Sequence, residues 1–129
     1  MNQAYTPNTQ RLVTALNEVI ATTTSNAISV VGAKAITLAM TRLDHSVGSS
    51  AFSVSGTVDG VTYVLLNKLI TNVANSNAQD VIRAASVSLG ANGSEVAGID
   101  MEGLALLAIK VTVTETTDGT HTAKLLIQT

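Results

Sequence analysis

The residues able to do chemistry are few and scattered. Asp44-His45-Ser46 contains the residue types of a nucleophile triad, but three consecutive residues cannot fold onto one another to make that geometry, so a polar turn after a strand is the simpler reading. The second histidine, His121, falls on the expected outer face of the last strand pair and is read as solvated. Two separated histidines and no cysteine make a poor metal-ligand set. Glu95, Asp100 and Glu102 could offer oxygens to calcium, yet their spacing is not that of an EF-hand loop, and ordinary acidic turns account for them. No glycine-rich loop with a following lysine is available to cradle phosphate. The expectation is a non-enzymatic protein with no catalytic, cofactor-binding or metal residues.

Composition narrows the alternatives. At 129 residues the chain is expected to form one domain, large enough to bury roughly two-thirds of the surface its unfolded form exposes. Charged residues make up 12% of it, against about 25% in an ordinary soluble domain. With a mean hydropathy of +0.36, its exterior must therefore be dressed in Thr, Ser, Asn and Ala. The longest apolar run, Leu104 to Ile109, is far short of the roughly 20 residues of a membrane-spanning helix. The opening MNQAYTPNTQRL lacks the apolar centre of a secretory signal. A net charge of -2 gives no basic footprint for nucleic acid, and the absence of cysteine rules out disulfides.

The elements that must carry any functional surface read as strands. In SSAFSVSGTVDGVTYVLL, residues 49 to 66, alternation on both sides of Asp59-Gly60 predicts a two-residue hairpin turn pairing Val58 with Val61, Gly56 with Tyr63 and Val54 with Leu65. Tyr63 would then cover the bare backbone of Gly56, and Phe52 and Tyr63 would both face the core. Near the C-terminus, IKVTVTETTDGTHTAKLLI predicts a second hairpin through a three-residue loop, Thr117-Asp118-Gly119, with Gly119 at positive φ. That register pairs Ile109 with Ile127, Val111 with Leu125 and Val113 with Ala123. Lys110, Thr112, Thr114, Thr122 and Lys124 then point outward.

Residues 12–20, 27–31, 35–43 and 81–89 are read as further strands, 71–80 as a polar loop and 90–103 as turns. Arg83 is anomalous on an otherwise apolar face and suggests a sheet end or a partner contact. Residues 1–10, with Tyr5 and the only proline, Pro7, read as an extended arm ahead of a single β-sandwich domain over 11–129. Seven to nine strands at this spacing predict an all-β, antiparallel, jelly-roll-like sandwich.

The run GAKAITLAMTRLDHSVGSSAFSVSGTVDGVTYVLLNKLI, then VIRAASVSL, then LLAIKVTVTETTDGTHTAKLLIQT, resembles small virion proteins of tailed bacteriophages, particularly capsid auxiliary or decoration (cement) proteins. The resemblance spans about residues 30 to 129. It implies a β-sandwich that coats or cements a shell, made in the host cytoplasm and placed on the capsid surface. The implied partners are the major capsid protein and further copies of the chain, with a homotrimer as the expected oligomer. No nucleic acid, membrane or cofactor is expected. A tail, neck or fibre accessory module, or a carbohydrate- or receptor-binding sandwich, is the alternative. Tyr5, Pro7 and Arg83 are the candidate assembly contacts, and a low-charge exterior makes packing against other copies cheap in desolvation.

Overall fold

The computed structural model describes residues 9–44, 47–71, 81–90, 92–115 and 118–129. They form twelve strands and no helix: β1 (Gln10–Val19), β2 (Thr23–Thr24), β3 (Ile28–Ser29), β4 (Ala35–Leu43), β5 (Ser50–Thr57), β6 (Val64–Leu65), β7 (Leu69–Ile70), β8 (Arg83–Ala84), β9 (Val87–Leu89), β10 (Gly93–Ile99), β11 (Ala108–Glu115) and β12 (Thr120–Gln128). One sheet has the order β1-β12-β4-β10-β7-β8; the other runs β2-β11-β5-β6, with β3 also on β11 and β9 also on β5. Every pairing is antiparallel. The fold is the antiparallel β-sandwich expected from the alternation.

Period-two patterning builds the core. In β4, Ile36, Leu38 and Met40 point inward while Thr37, Ala39 and Thr41 point outward. Leu125, Ile127 and Ala123 of β12 and Ile99 and Ala97 of β10 join them from the same sheet. Phe52 and Val54 of β5 and Ile109, Val111 and Val113 of β11 face them from the other. Each fully buried side chain of this size contributes about 1.5–3 kcal/mol relative to exposure. Among the described residues there are two ion pairs, so apolar burial dominates the packing.

Four expectations are corrected. The predicted terminal hairpin does not exist: β11 pairs with β2, β3 and β5, whereas β12 pairs with β1 and β4 in the opposite sheet. Asp118 and Gly119 lie where the chain crosses between sheets. The inward residues were right, because two strands that bury the same parity satisfy it equally well side by side or face to face across a core. Gly119 does hold positive φ, at +126°.

The first turn is wider than two residues. Thr57 Oγ1 accepts the Gly60 amide at 2.9 Å, and Asp59 Oδ1 accepts those of Val61 and Thr62 at 2.8 Å each. These side-chain acceptors hold a broader loop, a competition with backbone turns that Thr and Asp commonly win. The register moves by one: Gly56 faces Val64, and Ser55 faces Leu65. The return segment consequently turns over, burying Leu66 and exposing Val64 and Leu65. Tyr63 is half-buried on the outside, with Lys110 Nζ 4.3 Å from its ring centroid, rather than in the core.

Within 90–103, expected to be turns, Gly93–Ile99 instead forms an inner strand paired along its length with β4. Its outward Ser94, Val96 and Gly98 are small or β-branched, and only Ala97 and Ile99 face the core, which leaves little apolar signal. Finally, residues 81–89 do not form one strand. Arg83–Ala84 joins one sheet and Val87–Leu89 the other.

Candidate assembly surface

The strand registers gather the loops at two ends with opposite character. At one end, Arg42 on β4 lies opposite His121 on one side and Gly93 on the other, while Ser50 lies opposite Leu89 and Glu115. Arg42 follows the inward parity of Ile36, Leu38 and Met40, so its side chain is carried beneath the loops and is fully buried. Its Nη1 donates to the carbonyls of Gly48 at 2.8 Å, Leu89 at 3.1 Å and Gly90 at 3.2 Å. Its Nη2 donates to Val47 O at 3.1 Å and Asp118 O at 2.7 Å. One guanidinium thus ties three separate loops together, which its planar fork of donors suits better than an ammonium would.

Beside it, Ser50 Oγ and His121 Nε2 are 2.6 Å apart, and His121 Nδ1 is 3.1 Å from Val19 O. A serine hydrogen-bonded to a histidine that is itself held by an acceptor has the connectivity of a nucleophile and base. Here both side chains are fully buried, and the imidazole sits edge-on to Phe52 with centroids 6.0 Å apart. Among the described residues nothing leaves the pair open to solvent, and it makes a hydrogen-bonded polar contact in the core. His121 is therefore not the solvated residue expected: it shares the inward parity of Ala123 and Leu125. Arg42 and Ser50 were missed in sequence; Arg42's place in the alternation of AITLAMTRL was the available signal.

Asp44 is exposed with φ of 55°, ending β4 in a left-handed turn; His45 and Ser46 lie outside the described residues. Glu95 lies exposed on β10, away from Asp100 beyond the strand's end, and Asp100 is engaged by Arg83 and the Glu102 amide. Among the described residues, no group of three or more acidic or histidine side chains could hold a metal.

The other end is apolar. Thr57 lies opposite Ala108, Ala108 opposite Ser29, and Gln128 opposite both Ala35 and Gln10, so the loops 30–34, 58–63 and 100–107 meet there. Val58 is 71% exposed, Val61 82% and Val64 62%, with Val31 and Leu107 also open to solvent. Two shallow grooves of about 310 and 450 Å³ share Val58, Leu104 and Leu106 as walls. Gly56 makes the floor. A Cβ there would lie 2.8 Å from Leu106 Cδ1, so it is Leu106 and Leu66, rather than Tyr63, that close over the bare backbone. A contiguous apolar rim on a domain with so little charge is the feature that most resembles an interaction surface.

Of the sequence-predicted site residues, Asp59 and Gly60 form part of this rim's loop, and backbone amides from Thr62 and Val61 hold the Asp59 carboxyl below its ordinary value of 3.8. Arg83 lies on an edge strand, half exposed, with Nε 2.5 Å from Asp100 Oδ2; that bond depresses the Asp100 pKa. Asp118 and Gly119 belong to the opposite, Arg42-centred end. Tyr5 and Pro7 lie outside the described residues.

No protein-family model and no curated protein matches the chain. Among solved structures it is similar to the SPBc2 prophage-derived protein YomS, with a TM-score of 0.71 at 17% identity, over 99% of this chain and 100% of that one. It is also similar to the PBSX exported protein XepA, with a TM-score of 0.71 at 15% identity, over 98% of this chain but 40% of that one. At these identities the likeness establishes the fold: the same sandwich is a whole chain in one case and part of a longer chain in the other.

Proposed function

We propose that this chain is a non-enzymatic structural protein of a bacteriophage particle, which associates with copies of itself and attaches to the outside of the capsid. The observation that carries the reading is the apolar rim of Val58, Val61 and Val64 on a sandwich with few charged residues. The full-length likeness to a prophage-derived protein supports a phage origin, and the sequence resemblance to decoration proteins supports the capsid location. Repeating a modest contact through a symmetric oligomer gives firm attachment, because each contact after the first is effectively intramolecular. A homotrimer is the assembly proposed.

The test is to add purified protein to undecorated particles at low and high salt and measure occupancy by electron microscopy. Decoration that persists in high salt is expected, since an apolar contact is not screened. Protein that ignores particles but binds glycans overturns the reading. The likeness to XepA, an exported protein, favours a second reading, an accessory module that acts away from the capsid. Recovery of the chain outside purified particles in an infected culture would select it.

A further inference from the structure

We propose that the apolar rim receives the N-terminal segment, residues 1–8, of a second copy of this chain, with Tyr5 in the groove walled by Val64, Leu66 and Leu106. This deepens the self-association part of the function proposed above. The first support is where that segment begins. Thr9 O accepts the Thr129 amide, Gln10 lies opposite Gln128, and Arg11 Nη2 donates to Ser29 O. Ser29 leads directly into Val30 and Val31, which wall the adjoining groove; the two grooves share Val58, Leu104 and Leu106. Thr9, which the segment precedes, therefore lies at the apolar end of the sandwich and not at the end organised by Arg42.

Length and composition supply the rest. Eight residues span at most about 26–29 Å when extended, enough to pass from one molecule to its neighbour. MNQAYTPN carries no charged side chain, and its one aromatic residue has an apolar body and a hydroxyl tip, which suits an apolar groove edged by Asp59 and Thr62. Pro7 stiffens the segment and favours an extended Thr6, which lowers the entropy lost on docking. The topology argues for a neighbour's groove over the chain's own: β1 is an edge strand packed against β2 of the second sheet, whereas Val64 lies on β6 at the opposite edge of that second sheet, so the home groove lies across the sandwich from Thr9.

The chain has no cysteine, so paired cysteines report this contact cleanly. In the full-length protein carrying both Tyr5→Cys and Val64→Cys, mild oxidation is expected to give covalent dimers and higher species on a denaturing, non-reducing gel, well above either single variant. A disulfide confined to monomers overturns the exchange between copies, and no disulfide in a protein with unchanged circular dichroism overturns the docking altogether. Tyr5→Ser and Val64→Asp should each weaken self-association, measured by sedimentation, by about tenfold or more, the loss typical of an interface anchor. Unchanged self-association in both variants overturns the proposal. Particle decoration that survives while self-association is intact but uncrosslinked separates its failure from that of the capsid reading.

Discussion

Arg42 and Asp118, 76 residues apart in sequence, meet through the backbone: the guanidinium donates to the Asp118 carbonyl at 2.7 Å, while the carboxylate stands farther off at 3.6 Å. Asp118's side chain is 38% exposed and Arg42's is fully buried, so the Coulombic part is weakened by solvent and the carbonyl bonds do most of the holding. Arg42→Met would strip the donors from the carbonyls of residues 47, 48, 89, 90 and 118 at once. A loss of about 1–3 kcal/mol is expected, the usual cost of leaving a buried acceptor such as the Leu89 carbonyl without its donor. Arg42→Lys should recover only part of it, because three donors on a flexible stem cannot serve five carbonyls. Urea unfolding midpoints check both; an Arg42→Met protein as stable as the parent refutes the clamp.

Gly119 and Gly60 separate backbone strain from collision. Both have positive φ, +126° and +82°, but a Cβ at Gly119 would lie 2.9 Å from Arg42 Nε and 3.3 Å from His121 Nε2, while one at Gly60 meets nothing within 4 Å. Gly60→Ala should cost about 1 kcal/mol through conformation alone. Gly119→Val should cost about 1–3 kcal/mol from strain and more from displacing Arg42. Equal thermal shifts for the two variants would show that the Arg42 contact is immaterial.

Ser50→Ala leaves His121 Nε2 buried without a partner, and a loss of about 1–3 kcal/mol is expected. If the pair acts as a unit, the double variant Ser50→Ala, His121→Leu loses less than the sum of the singles. Additive losses in a denaturation cycle would mean that the 2.6 Å contact carries no coupling.

The acid behaviour follows from two hydrogen-bonded carboxylates, Asp59 exposed and Asp100 largely covered. Asp59 is held below 3.8 by the Thr62 and Val61 amides, and Asp100 chiefly by the Arg83 side-chain bond. A folded-state pKa below the unfolded one contributes stability that is present above the unfolded value, about 3.9, and is lost as pH falls through the folded value. Carboxyl titration by nuclear magnetic resonance should therefore find both groups titrating low, and Arg83→Ala should return Asp100 toward the ordinary range while leaving Asp59 unmoved. An Asp59 that titrates at or above its ordinary value would contradict the loop geometry.

Much of this fold is legible in side-chain alternation. AITLAMTRL marks β4 from end to end, because an inner strand with one face in the core must alternate, and its parity already carries Arg42 inward. What the alternation does not carry is the set of acceptors. They come from residues 47–48, 89–90 and 118, brought together only when both sheets close. His121 was misplaced for a related reason: its parity matches Ala123 and Leu125, but a polar side chain reads as solvated until Ser50 arrives from the other sheet. The apolar rim was equally hidden, since a one-residue change of register around Asp59 decides whether Val64 or Leu66 is buried.

The two terminal long strands mark the boundary most sharply. The sequence by itself determined that Ile109, Val111 and Val113, and likewise Ala123, Leu125 and Ile127, face inward, because a period of two leaves each strand one apolar side to hide. Whether those sides lie adjacent in one sheet or opposed across the sandwich was decided only by the tertiary structure. Alternation encodes which face is buried and not which strand lies beside it, and here β5 and β4 supply the ladder partners, leaving β11 and β12 in opposite sheets around one core.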